Sequence, residues 1–215
     1  MIRLLPDGLP LGHPAVIVAT WFYSGLLRPA SGTWGSAAAI PFALVLVWLG
    51  GWPALLVAAI LVAGIGIWVS GLIDRKSGVH DWGGIVIDEV AGMWLALIPA
   101  GLDWRLVLAA FILFRILDIA KPGPIGWLDR RIAGGIGVMA DDLVSGIAAG
   151  VLVALFDGAL PEIAFGGVGL RHRLDHRQGQ LAFAEIVAGV LADGLGRAAV
   201  VEDVVDDLKG DSQRV

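Results

Sequence analysis

Long apolar runs occupy most of the first 157 residues of this chain, and they limit its fold more than any other feature. These runs lie at residues 36–50, 53–73, 85–100, 105–119 and 142–157. The chain is 57% hydrophobic and 16% charged, with a mean hydropathy of +0.82, whereas soluble domains carry about 25% charged residues. Such runs are typical of membrane-spanning helices. The sequence therefore predicts an all-α fold, a polytopic membrane helical bundle with about five spans.

The lengths of the runs refine this prediction. Several runs are shorter than the ~20 residues that cross a bilayer upright, so we expect their ends to lie in a protein-lined, water-filled recess. Residues 15–27 are apolar but shorter still, and they predict a short N-terminal helix that is interfacial or re-entrant. Residues 1–14 lack the continuous apolar core of a cleavable signal peptide, so none is expected.

Basic residues are concentrated on one side of the predicted bundle. With five spans, the N-terminal segment and the loops at 74–84 and 120–141 share that side. Its basic side chains are Arg3, Arg28, Arg75, Lys76, Lys121, Arg130 and Arg131. Because cytoplasmic loops carry such an excess, we expect this side to face the cytoplasm. The polar motifs of the chain then lie on one face, as a single active site requires.

The character of the chain changes after residue 158. Residues 171–215 contain eight acidic and six basic side chains, and part of this region, about 181–208, has the pattern of an amphipathic helix. We therefore predict a membrane-embedded domain at 1–158 and a polar C-terminal tail at 159–215, disordered or partly helical. By the five-span count the tail lies opposite the motif-bearing side, unless residues 15–27 also cross.

Composition excludes several classes of function. The chain has no cysteine, which removes disulfides, thiolate nucleophiles and cysteine-based metal sites. Its formal charge of −5 argues against nucleic acid as a partner. No pattern in the sequence indicates an oligomeric state.

Two pairs of adjacent acidic residues, Asp88-Glu89 and Asp141-Asp142, open two of the apolar runs. One interpretation is structural, because acids at a helix N-terminus complement the helix dipole. Carboxylates at membrane depth are, however, functional-site candidates by default, and they need a counter-charge. In a chain without cysteine, ligation of Mg²⁺ by these carboxylates is the interpretation that we favour.

Arg115, Asp118 and Lys121 follow one another at three-residue spacing, so that neighbouring members can meet on one helix face. Arg115 and Asp118 predict either a structural ion pair or a phosphate clamp, for which the forked guanidinium is suited. Lys121 is followed by Pro122-Gly123-Pro124, so it either binds phosphate at the interface or extends its charge to water.

Three further groups of residues allow a functional and a structural interpretation. The segment with Thr33 and Ser36 predicts an anion-binding loop or an ordinary turn and N-cap. Gly134 and Gly135 begin a weak phosphate-loop pattern that leads into the second acidic pair. His80, in a polar loop, either protonates a leaving alkoxide or is simply solvated.

These motifs, in their order and spacing, resemble the phosphatidylglycerophosphatase A family. The matching pieces read GTWGS from Gly32, VHD from Val79, IVIDEVAG from Ile85, FRILDIAKPGPI from Phe114, Asp129, and GGIGVM from Gly134 followed by Asp141-Asp142. The resemblance covers about residues 12–158. Residues 159–215 match nothing in that family, and they form an appended tail or a reading-frame artefact.

The resemblance implies an Mg²⁺-dependent phosphoric monoester hydrolase at a bacterial inner membrane, with its active site facing the cytoplasm. Its lipid substrate would be phosphatidylglycerophosphate and its products phosphatidylglycerol and phosphate. Catalytic contributions are expected from His80, Asp81, Asp88, Glu89, Asp118, Asp129, Asp141 and Asp142. Phosphate binding is expected from Thr33, Ser36, Arg115, Lys121, Gly134 and Gly135. Metal binding is expected from Asp88, Glu89, Asp141 and Asp142.

The alternative function is a membrane transporter or ion-relay protein that uses the same intramembrane carboxylates. A through-pathway needs polar residues that reach the far side of the membrane. The predicted far-side turns carry few of them, so the sequence favours the enzyme.

Overall fold

The computed structural model describes residues 9–78, 82–122 and 134–159, together with residues 181, 183 and 185. All regular secondary structure in these residues is helical, which confirms the all-α prediction for them. The helices with described bounds are α1 (Pro14–Ala19), α2 (Ser31–Ser77), α3 (Ile87–Leu97), α4 (Trp104–Ala120) and α5 (Gly134–Ala159). Short 3₁₀ turns at Ser24–Leu26 and Ile98–Ala100 lie before α2 and after α3.

Helix α2 contains the first two predicted runs, and Gly50-Gly51 breaks it between them. Gly51 has φ 65° and ψ −165°, a conformation that glycine adopts without steric cost. The helix begins at Ser31, so the segment predicted as a loop is helical from there, and Thr33 and Ser36 lie in its first turns. Its N-cap is Ala30, which makes no side-chain cap. A bend and an N-cap thus do precede a helix here, as one interpretation predicted, but the cap provides no side-chain hydrogen bond.

Helix α5 begins at Gly134, eight residues before the predicted start of the fifth run. Val138 and Met139 of its first two turns are buried in the core, and this packing extends the helix beyond the uninterrupted apolar run. Asp141-Asp142 consequently lie about two turns inside the helix, where a helix dipole has little effect. The dipole interpretation is therefore wrong for this pair, although Asp88-Glu89 do lie in the first turn of α3.

The outer surface of the helices is apolar. Ser31–Ser77 and Gly134–Phe156 are long and apolar enough to cross a membrane, and large side chains such as Trp48, 72% exposed, and Ile119, 71% exposed, point outward. Exposed apolar surface of this extent marks a surface that contacts lipid or another apolar partner. The surface is consistent with a membrane protein, and the number of five spans stays a prediction.

Helix α3 lies at the centre of the described bundle and packs against α2, α4 and α5. Nine of its eleven residues are buried. The indole N–H of Trp94 donates a hydrogen bond of 3.0 Å to the carbonyl of Ala39 on α2. Because a hydrogen bond in an apolar interior has no competing water, this contact fixes α3 against α2.

Two glycines allow α3 and α5 to cross with their backbones in contact. A Cβ on Gly146 would lie 2.7 Å from the carbonyl carbon of Gly92, and a Cβ on Gly92 would lie 2.5 Å from the carbonyl oxygen of Asp142. Each glycine follows an acid by four residues, Asp88 before Gly92 and Asp142 before Gly146. Residues at that spacing share a helix face, so the crossing brings the two acids together.

The C-terminal region makes at least one contact with the bundle. Phe183 is 3% exposed, and its ring lies where a Cβ on Gly150 of α5 would be, with Cζ 2.6 Å away. The remainder of the predicted tail lies outside the described residues, apart from residues 159, 181 and 185. The division at residue 158 stays a prediction, but Phe183 contributes to the hydrophobic core of the described bundle.

Candidate active site

The first acidic group joins the start of α3 to α5. Carboxylate oxygens of Asp88, Glu89 and Asp142 all lie within 4.8 Å of one another. Asp88 is 8% and Asp142 3% exposed, and Oδ1 of Asp88 accepts a hydrogen bond of 3.0 Å from the backbone N–H of Glu89. The structure thus brings together members of both predicted acidic pairs.

A second acidic group adds the end of α4. Oxygens of Asp118, Asp141 and Asp142 also lie within 4.8 Å of one another. Asp142 belongs to both groups, and it therefore connects the three helices at one end of the bundle. Each group has the oxygen donors that a hard divalent cation takes as ligands.

Two basic side chains pair with the second group. Arg115 Nη1 lies 2.6 Å from Asp118 Oδ2, and Lys121 Nζ lies 2.6 Å from Asp141 Oδ2. The predicted Arg115–Asp118 ion pair is therefore present. Arg115 is mostly buried and Lys121 is about one-third exposed, and each pairs directly with a carboxylate of the second group.

The first turns of α2 form the opposite wall. Arg115 Nη1 also donates a hydrogen bond of 3.3 Å to Ser36 Oγ, and that hydroxyl donates one of 2.8 Å to the carbonyl of Gly32. A Cβ on Gly32 would collide with Glu89 Oε1 and lie 3.0 Å from Arg115 Nη2. The absence of a side chain at Gly32 thus allows the carboxylate and the guanidinium to approach α2.

The remaining predicted phosphate-binding residues are Thr33, Gly134 and Gly135, and their described contacts do not include the acidic or basic side chains of the site. Thr33 is partly exposed on the same turn of α2 as Gly32. Gly134 starts α5 with φ 76°. A Cβ on Gly135 would collide with the carbonyl of Ile67 on α2, so close packing is one reason for a glycine there. Phosphate binding by these three residues stays a prediction.

Three predicted catalytic residues, His80, Asp81 and Asp129, lie outside the described residues. Their proposed roles stay predictions that rest on the sequence.

Three buried polar atoms of the site lack a hydrogen-bond partner among the described residues, Glu89 Oε2, Asp142 Oδ1 and Arg115 Nε, and so does Ser145 Oγ, one helical turn beyond Asp141 and Asp142. A buried polar atom without a partner is costly, and a cluster of them indicates that a ligand completes the site. Sequence reasoning missed Ser145. The available signal was its spacing, because Ser145 follows Asp141 by four residues and Asp142 by three.

Known proteins are similar to the same part of the chain that contains the site. Residues 17–157 match the family model described as "Phosphatidylglycerophosphatase A". The chain is 44% identical over 147 residues to the phosphatidylglycerophosphatase A of Escherichia coli K12, covering 67% of this chain and 84% of that protein. It is 40% identical over 147 residues to the phosphatidylglycerophosphatase A of Haemophilus influenzae, covering 67% and 90%.

A third relative carries a different name. The chain is 35% identical over 147 residues to a Bacteroides thetaiotaomicron protein provisionally named as a phosphatidylinositol-3-phosphatase, covering 65% of this chain and 91% of that protein. No solved structure matches the chain. All the acidic and basic site residues described above lie within the matched residues 17–157.

Proposed function

The chain belongs to the phosphatidylglycerophosphatase A family, and on that premise we propose that it hydrolyses phosphatidylglycerophosphate to phosphatidylglycerol and inorganic phosphate. The observation that carries this proposal is the meeting of five carboxylates with Arg115 and Lys121 at one end of the helices. A phosphate monoester needs both kinds of group, basic donors for its oxygens and acids for a metal or for proton transfer.

Mg²⁺ is the proposed cofactor, with Asp88, Glu89 and Asp142 as its ligands. An all-oxygen donor set suits this ion, and the orphaned Glu89 Oε2 and Asp142 Oδ1 offer it unused oxygens. When bound, the ion supplies positive charge that stabilises the negative charge developing on phosphate. Asp141, which the sequence predicted as a further ligand, lies in the second group beside Lys121.

Arg115 and Lys121 are the proposed phosphate-binding donors. A guanidinium has five N–H donors, and only Nη1 is engaged in the contacts to Asp118 and Ser36 described above. Its buried Nε is without a partner in the described region. The Asp118 and Ser36 contacts hold the guanidinium plane in place, so that its remaining donors are oriented before a phosphate arrives.

The expected site of action is a bacterial inner membrane, crossed about five times, with the acidic groups facing the cytoplasm. The two helices long enough to cross and the predicted excess of basic residues on the motif side support this arrangement. The acyl chains of the lipid substrate are apolar and can remain in the bilayer, while its charged headgroup reaches the site. The transporter alternative is not favoured, because the matched family consists of phosphatases.

The test is phosphate release by the purified full-length protein in mixed micelles. We expect release from phosphatidylglycerophosphate in Mg²⁺ and its loss in EDTA. Asp103→Asn is the matched control for substitutions in the acidic groups and should keep full activity. Asp103 caps the far end of α4, and asparagine caps equally well. Equal release in EDTA would show the metal proposal to be wrong, and faster release from phosphatidic acid or phosphatidylinositol 3-phosphate would overturn the substrate.

A further inference from the structure

The two acidic groups overlap in a single residue. Asp142 lies within 4.8 Å of Asp88 and Glu89 in one group and of Asp118 and Asp141 in the other. A carboxylate has two oxygens with lone pairs directed to different sides, so one aspartate can serve two cations. Phosphate-processing sites with two metals place the ions about 3.5–4 Å apart, a separation that a shared carboxylate can bridge.

Burial at Asp142 points to a ligand independently of the clustering. The residue is 3% exposed, and its Oδ1 has no hydrogen-bond partner among the described residues. An ionised carboxylate out of water is stable only when it is paired or coordinates a metal. The basic side chains described at the site contact Asp118 and Asp141, so they leave this oxygen of Asp142 without a direct counter-charge.

The formal charge of the described groups favours two divalent cations over one. With every carboxylate ionised, as metal binding requires, five carboxylates and two basic side chains give a formal charge of −3 over Asp88, Glu89, Asp118, Asp141, Asp142, Arg115 and Lys121. One divalent cation would still leave one negative charge, which opposes a phosphate monoester carrying about −1.5 to −2 at pH 7. Two divalent cations give the site a net charge of +1, which attracts the phosphate monoester.

The ion pairs do not fill the second group. Arg115 and Lys121 each contact Oδ2 of their aspartate at 2.6 Å, and each aspartate has a second oxygen. When the remaining donors of Arg115 bind phosphate as proposed above, its contact with Asp118 is kept, and the second oxygens of Asp118 and Asp141 can still face a cation.

We propose that the site holds two divalent cations, the first on Asp88, Glu89 and Asp142 and the second on Asp118, Asp141 and Asp142. This inference rests on the proposed function and deepens it, because it makes Asp142 a bridging ligand and Asp118 a metal ligand. Neither the resemblance nor the sequence pattern assigns those roles.

Electron paramagnetic resonance of Mn²⁺ bound to the full-length protein in detergent tests this proposal. Loss of the free-ion signal during titration gives the number of ions bound per chain, and magnetic coupling in the frozen sample shows whether two ions are adjacent. We expect about two Mn²⁺ per chain with a coupled spectrum. Asp118→Asn should reduce binding to one uncoupled ion, whereas Asp103→Asn, roughly 22 Å away along α4, should keep two.

The measurement on the unaltered protein decides the proposal even if Asp118→Asn fails to fold. One uncoupled Mn²⁺ per chain would overturn the second site while leaving the proposed function with its single cation. Two ions that stay coupled in a folded Asp118→Asn protein would overturn the assignment of Asp118. No saturable Mn²⁺ binding would overturn both metal proposals, and phosphate release in EDTA would then show whether hydrolysis itself survives.

Discussion

Replacing Gly146 with alanine should reduce hydrolysis strongly, although the site loses no polar atom. The new Cβ would lie 2.7 Å from the carbonyl carbon of Gly92 and closer still to its oxygen, whereas ordinary contact begins at 3.4 Å. The obstacle is the backbone of α3, which cannot rotate away as a flexible side chain can. Helices α3 and α5 must therefore separate by about 1 Å at this crossing.

That separation acts directly on the acidic groups, because Asp88 and Asp142 each lie one turn from the crossing. A displacement of 1 Å in a catalytic constellation costs about 10²-fold in rate, so we expect a loss of that order in kcat/KM. Phosphate release in micelles measures it, and circular dichroism checks that the variant remains helical.

Gly64→Ala is the matched control. Gly64 lies on α2 with nothing within 4 Å of an added Cβ, and alanine favours a helix over glycine by about 1 kcal/mol. We expect this variant to keep full activity with equal or higher stability. Gly146→Ala activity within about threefold of the unaltered protein would refute the argument that this crossing sets the geometry of the site.

The other predictions concern phosphate binding and the C-terminal region. Arg115→Lys keeps the charge but loses the forked donor, so KM should rise about tenfold in the release assay; an unchanged KM would contradict the phosphate role. Phe183→Ala should reduce the free energy of unfolding by up to about 3 kcal/mol and so lower the thermal unfolding midpoint, while activity at lower temperature stays intact. An unchanged midpoint would contradict the burial of Phe183. A protein truncated after Pro161 should still insert into membranes and remain active, because the matched region ends at 157. Its unfolding midpoint should fall as that of Phe183→Ala does, and failure to insert would contradict this prediction.

The sequence predicted the helices well because apolar run length is a local property. The break at Gly50-Gly51 and the turn before Trp104 lie where the runs end. Helix starts were less accurate, since Ser31 begins a helix inside a segment rich in glycine and hydroxyl residues and Gly134 begins one inside a glycine-rich segment. Packing against neighbouring helices, such as that of Val138 and Met139, overrides the weak local preference there.

The composition of the site was predictable in part, but its division into two groups was not. The two pairs of adjacent acids and the three-residue spacing of Arg115 and Asp118 are visible in the sequence. In the structure, members of the two acidic pairs lie close together, and Arg115 contacts Asp118. The contact of α4 with α5, which places Asp118 beside Asp142, depends on tertiary packing. Gly32 and Ser145 were likewise missed as site residues, because nothing local shows which carboxylate or helix a small residue will face.

The region after residue 158 was predicted from composition as a separate polar tail. Composition averages over many residues and does not reveal a single anchoring side chain. Phe183, buried against Gly150, is such a side chain.

The most direct test of the account is the turnover of Asp142→Asn as a function of Mg²⁺ concentration. Asparagine keeps the size of the side chain and removes one charge and one ligand from the residue shared by both acidic groups. Because single electrostatic contributors of this kind are worth about 10²–10³-fold, we predict a loss of at least 10²-fold in kcat and a weaker response to Mg²⁺, in a protein that still inserts into membranes. Near-normal turnover with unchanged Mg²⁺ dependence would contradict a metal-assisted phosphatase site centred on Asp142.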